Sequence, residues 1–152
     1  MTERMHLNAG PVSQAVFRTA RLHKALAARL LRESGLRPGQ ELVLMTLWQS
    51  GPQRLVDLVN TLDSDAATMT RSIARLEKAG LVARRPSETD RRATIVEASE
   101  KSLALRPAVE NAWAELERLS VSGIPPARQR EIIAALSDLE ASLTDADESG
   151  VS

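Results

Sequence analysis

The 152-residue chain contains no cysteine and only two histidines, His6 and His23. Without thiols it has no disulfide framework, no thiolate zinc site and no cysteine-based oxidation switch, so any signal it senses arrives by another route. No histidine pair stands at metal-ligand spacing and there is no glycine-rich phosphate loop, so the usual parts of a catalytic site are missing. Neither an enzyme nor a bound metal or cofactor is expected. No apolar run approaches the roughly 18 residues of a membrane span, and the N-terminus lacks the continuous apolar segment of a secretory signal. The expectation is a cytoplasmic protein with no membrane partner. Charge of one sign is not in surplus either, because 20 Lys and Arg balance 20 Asp and Glu. What is present is a 43% hydrophobic composition, which suits one domain with extensions.

The neutrality conceals a local patch. From Arg71 to Arg92 seven cationic residues stand against three acidic ones, a surplus of four. The patch lies in the stretch from Asp63 to Arg92, DSDAATMTRSIARLEKAGLVARRPSETDRR. Met69, Ile73 and Leu76 recur at i, i+4 and i+7, giving a helix with one narrow apolar stripe. Ala67, Thr70, Arg71, Arg75 and Lys78 share the opposite face. Asp65 suits the N-cap and Gly80 the left-handed position after the helix. Leu81 to Arg85 and Ala93 to Ala98 have strand composition, so the polar run between them, with Arg91 and Arg92, forms a hairpin tip. A helix with a small polar and basic outer face suits the major groove of DNA, and a basic hairpin tip suits phosphates and the minor groove. The same faces also suit a module that docks on an acidic protein.

The flanks are helical. Residues 1–11 carry Asn8, Gly10 and Pro11 without a stripe and are expected as a loose arm. A helix from Ser13 to Glu33 follows, with Val12, Ala15, Val16, Leu22, Leu26 and Leu30 in one arc and Gly35 at its end. His23 falls in that arc, as a packed or interface histidine or as a ligand contact. Pro38 stands where a helix N1 proline is favoured, opening a short buried helix that carries Trp48 and stops at Gly51-Pro52. Leu55, Leu58, Val59 and Leu62 give the next helix its face, and a tight turn separates it from the basic helix. Past the hairpin, Ser99 caps a helix striped by Val109, Ala112, Trp113, Leu116 and Leu119, with a kink predicted between Leu103 and Pro107. Ser122 to Pro126 break the chain before a last helix striped by Ile132, Ile133, Leu136, Leu139 and Leu143. Residues 145–152, with Asp145, Asp147 and Glu148, read as an acidic frayed tail.

Thr68 to Arg75, the run Leu76-Glu77-Lys78-Ala79-Gly80-Leu81-Val82, Arg84-Arg85-Pro86 and Asp90-Arg91-Arg92 together resemble the MarR family of winged helix-turn-helix transcription regulators. Gly-Leu-Arg-Pro at residues 35 to 38 is similar to the family's entry into its second helix. The chain departs from the pattern at Arg54, where a Thr or Ser cap is usual, at Val59 in place of alanine, at Asp63 in place of glycine and at Ala67 in place of serine. It departs again where the family's Leu-Thr-x-x-Gly gives way to Glu97-Ala98-Ser99-Glu100-Lys101-Ser102. The resemblance implies a mainly α fold with a small β-hairpin wing. Its winged helix-turn-helix domain spans residues 36–98, flanked by dimerisation helices over 12–34 and 99–144.

The resemblance further implies a homodimer on a pseudo-palindromic operator with half-sites roughly 10 base pairs apart, with repression as the usual outcome. On the recognition helix, Thr68, Thr70 and Arg71 are the base-edge candidates, beside Ala67, while Arg75, with Arg84 and Arg85, reaches phosphates. Arg92 matches the wing arginine that enters the minor groove and Asp90 the acid that holds it. Arg91 is either a second wing contact or a solvated charge. A small aromatic or phenolic effector is also implied, in a cleft between the dimer helices and the winged domain, with His23 as its candidate contact.

Overall fold

Seven α-helices and three short strands order residues 10–62 and 64–150, which the computed structural model describes. The expectations for Asp63, residues 1–9 and residues 151–152 lie outside the described residues. Helix α1 spans Pro11–Leu30, and a 3-10 turn over Arg32–Ser34 leads to Gly35 in the left-handed region at φ 76°. Pro11, rather than Ser13, sets the start of α1, because a proline in the first turn fixes φ and lacks an N–H that would otherwise go unpaired. Pro38 is likewise not at N1 of the second helix. Helix α2 spans Gln40–Ser50 with Gly39 as N-cap at φ 95°. Two of its own side chains reach back to the free N–H groups: Gln40 Oε1 accepts from Arg37 N–H at 3.0 Å and Glu41 Oε2 from Gly39 N–H at 2.8 Å.

Strand β1 (Gln53–Arg54) leads into α3 (Leu55–Thr61), then α4 (Ala66–Lys78), β2 (Val82–Pro86) and β3 (Thr94–Ala98). The hairpin is therefore part of a three-stranded antiparallel sheet in the order β1-β3-β2, in which Gln53 pairs with Val96 and Val82 with Ala98. Helices α3 and α4 pack beside this sheet on a core in which Leu44, Leu58, Ile73 and Val96 are fully buried.

The predicted kink is instead a break. Ser99 caps α5 (Glu100–Leu103) by accepting Ser102 N–H at 3.2 Å, and a new helix, α6 (Arg106–Ser120), starts with Pro107 in its first turn. There the proline removes no helical hydrogen bond.

The described chain divides into two compact units, the first ending at Leu116 and the second starting at Glu117. In the second, Gly123 at φ 79° and Pro125 separate α6 from α7 (Pro126–Glu148). Asp145, Asp147 and Glu148 lie in the last turns of α7 rather than in a frayed tail, since no Gly or Pro interrupts the helix before Gly150.

Candidate nucleic-acid interface

Helix α4 is built so that one face is buried and the other ordered but open. Met69, Ile73 and Leu76 are buried, while Ala67, Thr68, Thr70, Arg71 and Arg75 are exposed. Asp65 caps the helix twice over, its Oδ1 accepting Thr68 N–H at 2.8 Å and its Oδ2 accepting the Thr68 hydroxyl at 2.7 Å. The backbone and then the side-chain hydrogen bond from Thr68 hold the Asp65 carboxyl below the usual carboxylate range. Arg71 Nη2 donates in turn to Thr68 Oγ1 at 3.3 Å. Asp65, read from sequence only as a cap, thus also orients Thr68 and Arg71. The Thr70 hydroxyl donates to Ala66 O at 2.7 Å, so its oxygen has only acceptor capacity left.

The other end of α4 is closed by Gly80 at φ 76°, with Leu81 N–H donating to Leu76 O and Gly80 N–H to Glu77 O, both at 2.9 Å. Two side chains from the segment after the wing finish the cap: Lys101 Nζ donates to Ala79 O at 2.8 Å and Ser99 Oγ to Gly80 O at 2.6 Å.

The wing is braced against this helix. Arg84 places Nε and Nη2 on the two Glu77 oxygens at 3.2 and 2.8 Å, so the guanidinium expected to meet phosphate already has a carboxylate partner within the chain. Its hydrogen bonds, more than its charge, keep the Glu77 carboxyl below its ordinary range. Arg85 lies 3.8 Å from Glu97 across the β2–β3 ladder. At the tip, Ser87 Oγ accepts from the N–H groups of Thr89 and Asp90, both at 3.3 Å.

Arg91 and Arg92 are exposed and neither side chain forms an ion pair among the described residues. Asp90 holds Arg92 through the backbone, its Oδ1 accepting Arg92 N–H at 3.0 Å, while its Oδ2 lies 3.6 Å from Arg54 Nη2. The guanidinium facing Asp90 is therefore that of Arg54.

His23 is exposed on α1 and lines none of the described cavities. Trp48 lines a cavity of about 260 Å³ with Gly51, Glu97 and Leu103, and its Nε1 donates to Ser102 Oγ at 3.0 Å. Arg75 lines another, of about 350 Å³, with Gln40, Leu76 and Lys101. Among the described residues no helix is long and apolar enough to cross a membrane.

With this geometry the chain can be placed among known proteins. A model described as the MarR family matches residues 36–94, the segment from the entry of α2 to the start of β3. The chain carries a MarR-family domain. The HTH-type transcriptional regulator MgrA of Staphylococcus aureus is 31% identical over 84 residues, covering 55% of this chain and 57% of that protein. The match thus spans little more than half the length of that curated relative.

Among solved structures, one concerned with regulation of DNA binding of Bordetella bronchiseptica BpsR by 6-hydroxynicotinic acid is 26% identical. It covers 86% of this chain and 99% of that one, with a TM-score of 0.79. A mutant of Escherichia coli MarR complexed with operator DNA covers 90% and 99% at a TM-score of 0.83 and 17% identity, which establishes a shared winged-helix fold. In this MarR-family domain α3 and α4 are the helix-turn-helix pair and β2–β3 the wing. The sequence marks Glu77 only as part of the family run and Arg54 and Lys101 only as departures from the pattern, because each acts on another element.

Proposed function

We propose that the protein is a sequence-specific double-stranded DNA-binding transcriptional regulator, acting as a homodimer in the cytoplasm and usually repressing by occluding a promoter. The observation that carries the reading is the outer face of α4. Its Thr68 and Arg71 are ordered from Asp65, while the helix stands beside a braced wing tipped by exposed Arg91 and Arg92. A helix face that carries ordered hydroxyl and guanidinium groups suits base edges in the major groove, and a basic tip suits the narrower groove beside it. That BpsR and the E. coli MarR mutant are described with DNA supports the same assignment for this chain.

The dimer is supported by apolar side chains that one chain leaves uncovered: Val12, Phe17 and Leu22 on α1 are 57%, 69% and 60% exposed, and Ile133 and Leu143 on α7 are 64% and 66% exposed. The terminal helices are accordingly the dimerisation region. A small aromatic or phenolic acid as effector is supported by the regulation of BpsR, and a thermal-shift screen of such acids with parallel DNA-binding assays tests it. Neither a shift nor a loss of DNA binding with any of them would remove the effector.

Selection of duplexes from random DNA tests the central assignment. The expected product is a pseudo-palindrome with half-sites about one helical turn apart; recovery of unrelated sequences would contradict it.

A further inference from the structure

A feature outside the recognition helix sets the wing. Arg54 stands at the N-cap of α3, with extended backbone and no side-chain capping bond, at a position where a short hydroxyl side chain would cap the helix. Its backbone is fixed to the wing strand, because Arg54 pairs with Ile95 of β3. Its side chain reaches the tip of the same wing, where Nη2 stands 3.6 Å from Asp90 Oδ2. Both side chains line an open pocket of about 320 Å³, together with Leu55, Arg92 and Thr94. Asp90 is thereby held on both oxygens: one accepts the N–H of Arg92 at 3.0 Å and the other faces Arg54.

We propose that Arg54 is a wing-positioning residue that determines DNA selectivity. Through Asp90 it ties the wing tip to the start of the helix-turn-helix and fixes where the Arg92 guanidinium meets DNA. This rests on the reading of the protein as a DNA-binding regulator. The charge balance supports a positioning role. One carboxylate serves two arginines, and with Arg54 as its ion-pair partner it engages Arg92 only through the backbone, so the Arg92 side chain stays available at the rim of the same cavity. A guanidinium has no acceptor with which to cap α3, so at this position the contact to the wing stands in place of a cap.

The test uses the full-length protein and a duplex enriched by the wild type from random DNA, with a scrambled duplex as control. An exposed pair of this kind is worth about two- to fivefold in affinity. Arg54→Ala is expected to lower the ratio of selected to scrambled binding by about that factor, with the thermal midpoint and scrambled binding nearly unchanged. Asp90→Asn keeps an oxygen for Arg92 N–H but removes the charge, and is expected to lose the same factor. The double variant is expected to lose no more than either single one, since the two residues act as a unit. Arg54→Lys is expected to recover part of the ratio.

Equal losses on both duplexes, with the salt slope reduced by about one, would make Arg54 a plain phosphate contact and overturn the proposal. Additive losses in the double variant would overturn it too. A wild type that enriches no sequence would overturn the DNA-binding reading along with it.

Discussion

At the scale of single residues, hydrogen bonds and burial set the sign of each effect. Trp48 Nε1 donates to Ser102 Oγ, and Ser102 is fully buried and donates on to Ser99 O at 2.7 Å. Ser102→Ala therefore leaves a half-buried indole N–H without its partner. A loss of about 1 to 3 kcal/mol in chemical denaturation is expected, and an unchanged midpoint would contradict the bond. Burial raises the Glu41 carboxyl above its ordinary 4.5, against the opposing hydrogen bonds from its own N–H and that of Gly39. A carboxyl raised on folding contributes stability below its ordinary value and loses it as pH rises through the raised one. Glu41→Gln is thus expected to raise the melting temperature at pH 7, with the gain fading toward pH 4. Asp65 and Glu77 run the other way. Their lowered carboxyls stabilise above the ordinary 3.8 and 4.5, and that contribution is lost as pH falls through the lower folded values. Asp65→Asn should therefore reduce the fall in stability on acidification, as a pH series of thermal melts would show.

At the scale of elements, the bond between Arg84 and Glu77 changes what a mutation does. If Arg84 only met phosphate, Arg84→Ala would weaken all DNA alike and Glu77 would not matter. As a brace between β2 and α4, its loss also leaves the Glu77 carboxylate unpaired on the helix proposed to read DNA. Arg84→Ala is expected to weaken binding about two- to fivefold more than the Arg84→Ala, Glu77→Gln double variant. Equal binding by the two, measured by anisotropy, would return Arg84 to the phosphate role.

The same contrast shows what a sequence can convey. The start, end and two faces of α4 were legible because caps and stripes are local: Asp65, Gly80 and the Met69, Ile73 and Leu76 spacing all lie on the helix or next to it. The brace, the Lys101 cap on Ala79 and the Arg54–Asp90 pair were not, because each joins positions that only the fold brings together. Strand β1 was missed because two residues carry no periodicity. Helix α2 starts two residues beyond Pro38, the N1 position that the sequence suggests, because Gln40 and Glu41 supply its cap from inside the helix.

At the scale of the whole molecule, a winged domain is joined to helices that leave large apolar side chains exposed, among them Phe17 on α1 and Ile133 and Leu143 on α7. The core beneath the winged domain is completed by Leu31, Val109 and Ala112 from the flanking segments, and Ile73→Ala, at a fully buried position in it, is expected to cost about 2 to 5 kcal/mol of stability, as denaturation would register. The exposed apolar side chains are the proposed dimer contact, and light scattering at micromolar concentration is expected to give the mass of a dimer; a monomer would remove the two-fold operator. The most direct test of the central claim is fluorescence anisotropy with the duplex upstream of the protein's own gene against a scrambled duplex, for the wild type and Arg71→Ala at two salt concentrations. Tight, salt-sensitive binding that prefers the native duplex is expected, with about 1 to 3 kcal/mol of that preference lost in Arg71→Ala. Binding that is equally weak on both duplexes and indifferent to Arg71 would contradict it.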